Sequence, residues 1–142
     1  MKAIIERIAL IAGFTAGALW GDLTPLFWSL VVLAVIDYVT GVLRAYTKRE
    51  LDSRKGWTGI VRKIVIFGVL IVAHQIDLVI TGANGALMGA CELFFVANEG
   101  LSIVENAAGI GVPIPKRLLN ALEQIKEKND GEDGKDKGDG SH

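Results

Sequence analysis

The sequence predicts an all-α integral membrane protein. Four transmembrane helices are expected, or three if the first segment is cleaved or lies in the interface, followed by a cytoplasmic amphipathic helix and a disordered tail. Two observations carry this reading. Apolar residues make up 51% of the chain, mean hydropathy is +0.40, and these residues collect into four segments of the length that crosses a hydrocarbon core. Charged residues, 22% of the chain, gather in one connection and one tail, whereas a soluble domain spreads them over every helix.

The basic connection orients everything else. Arg44, Lys48, Arg49, Arg54, Lys55, Arg62 and Lys63 stand against only Glu50 and Asp52, while Gly21-Asp22 and Thr81 to Gly85 hold no Lys or Arg. Lys and Arg are retained on the cytoplasmic side of short membrane loops, so this connection and the C-terminus are expected in the cytoplasm. Because these cations lie between apolar spans, nucleic acid is not an expected partner. Membrane lipid is.

The first segment, 4–20, carries Ala9, Gly13, Gly17 and Gly21 at four-residue intervals. That spacing gives one face of small residues, suited either to association with another helix or to packing inside one subunit. The basic start at Lys2 and Arg7, followed by Ala16-Gly17-Ala18, also fits a cleavable signal peptide. Thr24-Pro25 opens the second span, 25–43, with Trp20, Phe27 and Trp28 grouped at its outer end as interfacial aromatics are. Asp37, Thr40, Gly41 and Arg44 share one face of this helix. Left facing lipid, the Asp37 carboxylate costs several kcal/mol, so it is expected either to pair with Arg44, Arg62 or Lys63 or to serve ion passage.

The third span, 64–80, places Lys63, Phe67, Leu70, His74 and Asp77 on one stripe, with His74 and Asp77 spaced to hydrogen-bond. The uncharged turn Thr81 to Gly85 is short enough to force the third and fourth spans into antiparallel contact. On the fourth span, 86–104, Gly85, Gly89, Glu92, Glu99 and Asn106 occupy a narrow arc that Asn98, Ser102 and Glu105 widen. Asp37, His74, Asp77, Glu92, Asn98, Glu99 and Ser102 are therefore the intramembrane polar or pore-lining candidates. Ala9, Gly13, Gly17, Gly21, Gly85 and Gly89 are the helix-packing candidates. One subunit offers these polar stripes few partners, whereas a ring of subunits would turn them to shared water.

Residues 107–128 read as a turn stopped by Pro113 and Pro115, then an amphipathic helix with Leu118, Leu119, Leu122 and Ile125 on its apolar face. It suits the cytoplasmic leaflet or another subunit. Residues 129–142 repeat Gly, Asp and Lys and should be disordered. The lone Cys91 excludes an internal disulfide, and the sequence offers no nucleophile elbow, phosphate loop or HExxH, so neither an enzyme, a metal site nor a cofactor is expected.

Asp37-Tyr38-Val39-Thr40-Gly41 with Arg44-Ala45, then Leu51 to Gly56, Gly59-Ile60 and Lys63, resemble the core of a phage holin family that includes clostridial toxin-secretion holins. Asn98 to Asn106 and Gly111 to Lys116 are similar to its distal signature. The resemblance implies a homo-oligomer in the host bacterial inner membrane whose lesions release an endolysin, with no direct contact to that enzyme required. On this reading the face containing Glu92 and Glu99 lines the lesion. A small channel or proton-coupled transporter using Asp37, Glu92 and Glu99 is the alternative, and a toxin-export factor a further one.

Overall fold

The computed structural model describes residues 1–80 and 82–131. Five helices follow one another: α1 (Lys2–Trp20), α2 (Pro25–Thr47), α3 (Ser53–Val79), α4 (Ala86–Gly109) and α5 (Lys116–Gly131). The first four are long and apolar enough to cross a membrane.

Local chemistry sets the helix ends. Thr24 caps α2, its Oγ1 accepting the Phe27 amide at 3.1 Å, and Pro25 occupies the first turn, where no amide partner is lost. Asp52 caps α3 in the same way, accepting the Arg54 amide at 2.8 Å. That cap starts α3 at Ser53, well before the expected Ile64. The long basic loop is thereby reduced to Lys48–Asp52: Arg44 belongs to α2, and Arg54, Lys55, Arg62 and Lys63 ride on α3. Gly56 and Gly59 let the two helices approach at this end, since a Cβ on Gly59 would stand 3.6 Å from the Tyr38 ring. Between α3 and α4, Gly85 adopts φ 76°, a left-handed conformation that favours glycine. α4 continues past Val104 to Gly109, and α5 reaches Gly131. The tail expected after Lys128 lies, beyond Gly131, outside the described residues.

α2, α3 and α4 form an antiparallel bundle in which α4 is central, touching α2, α3 and α5. α1 packs mainly on α3, with Trp20 also against the Phe27 ring of α2, and its residues from Lys2 to Thr15 are all exposed. Its C-terminal end is pinned: Trp20 Nε1 donates to the Phe67 carbonyl at 3.1 Å, and Gln75 Nε2 donates to the Ala18 carbonyl at 3.2 Å.

One end of the bundle is an apolar core of Phe27, Leu30, Ile66, Leu70, Ala73 and Met88. The other end is polar inside, with Asp37, Glu99 and Asn106 buried. Outside, the surface is apolar, with Val35, Ile64, Val65 and Val72 all more than half exposed. Water would penalise such a distribution, whereas lipid favours it. In lipid, moreover, apolar burial yields no hydrophobic gain, so packing contacts and internal polar bonds must hold the helices together.

A polar ladder inside the membrane bundle

Polar side chains meet at successive depths along α4, where Glu92, Glu99 and Asn106 stand seven residues apart and therefore about 10.5 Å from one to the next. At the first depth, both oxygens of Asp77 on α3 accept amides from the start of α4, Leu87 at 3.1 Å and Met88 at 2.7 Å. First-turn amides have no intrahelical partner, so Asp77 caps α4 from the neighbouring helix. The expected His74–Asp77 bond is corrected by this: the carboxylate is already used, and His74 lies against Gly21. One turn further, Thr24 Oγ1 donates to Glu92 Oε2 at a long 3.5 Å, leaving Glu92 Oε1 buried without a partner among the described residues.

The middle depth holds the strongest interaction. Lys63 Nζ on α3 donates to Asp37 Oδ2 on α2 at 2.5 Å and also to Glu99 Oε2 on α4. One ammonium thus ties three helices, and the Glu99 side chain is 1% exposed. Of the pairings open to Asp37, Lys63 is the one formed. Glu99 Oε1 is buried and unpartnered among the described residues.

Nearest the α2–α3 connection, Asn106 gathers the whole predicted face of α2. Its Nδ2 donates to Asp37 Oδ1 at 3.2 Å and to Thr40 Oγ1 at 3.3 Å, and its Oδ1 accepts from Arg44 Nη1 at 3.4 Å. Gly41 completes the contact, for a Cβ there would stand 3.6 Å from Nδ2. Asn98 and Ser102 are half-buried beside this ladder.

The polar stripe of α4 is therefore satisfied within one subunit to a degree that the sequence did not lead one to expect, because Lys63 reaches Glu99 as well as Asp37. The small residues divide differently. A Cβ on Gly13, Gly17, Gly85 or Gly89 would meet nothing within 4 Å, and Ala9 is exposed, whereas Gly21 abuts His74. The close approaches inside the fold fall instead at Gly100, where a Cβ would come within 2.8 Å of Leu122 on α5, and at Gly109, within 2.6 Å of the Arg44 side chain. Through the Gly100 contact α5 folds back along α4 in place of lying free on a leaflet. Among the described residues no group of His, Cys, Asp or Glu is arranged to hold a metal ion.

Residues 14–127, from the middle of α1 through most of α5, match the model of the bacteriophage holin family. The chain belongs to that family. This holin is 49% identical to a probable holin of Bacillus phage phi105, over 75% of this chain and 78% of the phage protein. It is 45% identical to the uncharacterized protein YqxH of Bacillus subtilis, over 78% of this chain and 79% of that one. An uncharacterized 14.9 kDa protein of Clostridium perfringens is 39% identical over 70% of the holin and 76% of its own length. No solved structure matches. Holins are membrane proteins and not an enzyme family, in keeping with the inside-out bundle.

Proposed function

We propose that this holin accumulates in the bacterial inner membrane, assembles with copies of itself, and opens lesions through which an endolysin reaches the cell wall without touching the holin. The family match across all the bundle helices carries this reading. The basic residues around the α2–α3 connection, set against an opposite end without Lys or Arg, support an orientation with that connection and the C-terminus in the cytoplasm. Lesions need a surface that prefers water, and within the spans the polar ladder supplies it once α4 parts from α2 and α3.

Inducible expression in bacteria with and without a cytoplasmic endolysin, following turbidity and membrane potential together, tests the proposal. Abrupt depolarisation, with lysis only when the endolysin is present, is expected. Slow, ion-selective depolarisation with no endolysin release would instead favour a channel or transporter built on the Asp37–Lys63–Glu99 triad. Export of a toxin without loss of potential would mark an export factor.

A further inference from the structure

Where α2 turns into α3, the bundle opens into a cavity of about 450 Å³. Its polar wall is basic, with Arg44, Lys48, Lys55, Arg62 and Lys63 against Asp37, Glu50 and Asp52, Lys63 being shared between Asp37 and Glu99. Among the described residues Lys63 alone makes ion pairs, so the other four cations lack a carboxylate within salt-bridge distance. Asp52 is moreover engaged in capping α3. The cavity therefore carries an excess of positive charge at the end of the apolar spans, at headgroup depth.

A second cavity of about 470 Å³ adjoins it. The two share Tyr38, Val42, Leu51, Asp52 and Gly56, and the second adds Ser53, Trp57 and Ile60, so that apart from Ser53 and the capping Asp52 its wall is largely apolar. Leu51 and Trp57 are 61% and 65% exposed, so this groove opens outward. A free phosphate would match the basic cavity and leave the groove unused. A lipid with an anionic head and an acyl chain matches both.

We propose that the α2–α3 junction binds an anionic phospholipid, its phosphodiester held by Lys48, Lys55, Arg62 and Arg44 and an acyl chain lying along Val42, Trp57 and Ile60. Charge-assisted donors to phosphate oxygens give the head its affinity, and basic pockets between transmembrane helices are suited to this chemistry. The site does not require lesion formation, so it stands or falls separately from the lytic reading.

Native mass spectrometry of the full-length protein, delipidated in detergent and titrated with phosphatidylglycerol or phosphatidylcholine of identical chains, tests the proposal. Wild type should retain phosphatidylglycerol with a preference of roughly tenfold or more. Lys48→Gln with Lys55→Gln and Arg62→Gln should bring the preference close to unity; all three side chains are exposed, and an unchanged helical circular dichroism spectrum confirms folding. Lys116→Gln with Arg117→Gln on α5, also exposed, should leave the preference intact. Equal loss in both variants, or no preference in wild type, would overturn the pocket. Displacement of bound phosphatidylglycerol by millimolar inorganic phosphate would overturn the lipid assignment and make the site one for free phosphate.

Discussion

Lys63 is the residue on which the bundle depends, because it is the cation placed between Asp37 and Glu99. Removing one partner of a buried ion pair leaves the other charge uncompensated, at a cost of about 3–5 kcal/mol. Lys63→Met retains the length of the side chain and deletes the ammonium, so it isolates that term. We expect detergent-solubilised Lys63→Met to melt well below wild type, with Lys63→Met/Glu99→Gln recovering part of the loss because a neutral amide replaces one stranded carboxylate. Equal melting temperatures for wild type and Lys63→Met would show that the triad does not hold the helices. Much of this site was legible in the sequence at the level of faces: Asp37, Thr40, Gly41 and Arg44 were on one stripe, and all four meet Asn106. What could not be read was reach. Spacing along one helix does not choose among partners on its neighbour, so Arg44, Arg62 and Lys63 all stood open to Asp37, Glu99 had no assigned cation, and Asp77 read as a partner of His74, when the unpaired amides of α4 are the better donors to Asp77.

At the scale of elements, α5 and α1 present opposite problems. The sequence showed α5 to be amphipathic, but its docking on α4 depends on Gly100, a residue with no periodic signal of its own. A side chain there collides with Leu122, and overpacking of this kind costs about 1–3 kcal/mol. The helix can relieve that cost by swinging away. In a Cys91→Ala background that retains Leu122, a thiol placed by Leu119→Cys at a half-buried position of α5 should label slowly, and adding Gly100→Leu should speed labelling severalfold; an unchanged rate would mean that α5 is not held at this contact. α1 is nearly free of its own subunit, since only its last turns are tied to α3. Its ladder at Ala9, Gly13 and Gly17 makes no close contact within the subunit, and the use we propose for it is association between copies. Gly13→Leu with Gly17→Leu should leave thermal stability within about 0.5 kcal/mol while reducing cross-linked oligomers in membranes. Oligomers at wild-type yield would remove α1 from the assembly surface.

The bundle of α2, α3 and α4 turns Asp37, Asp77, Glu92 and Glu99 inward and apolar residues outward, and this bears on the proposed lysis. Many copies of such a bundle can coexist in lipid with these four carboxylates covered, which on the proposed function allows accumulation before any lesion forms. A lesion wide enough for a protein nevertheless requires a wetted wall. Within the described spans the buried polar residues lie between α2, α3 and α4, so we propose that opening uncovers the α4 face that carries Glu92 and Glu99. Both acids hold an oxygen without a hydrogen-bond partner among the described residues, a cost that contact with water would remove. Glu92→Leu with Glu99→Leu abolishes that incentive while Lys63 keeps Asp37 as its counter-ion. The variant should insert and accumulate like wild type yet release no cytoplasmic enzyme when induced, measured as marker-enzyme activity in the medium beside membrane-fraction protein levels. Undiminished release at equal accumulation would show that the α4 face does not line the lesion, and would shift the wetted wall to α5, whose outer face carries Lys116, Arg117 and Glu123.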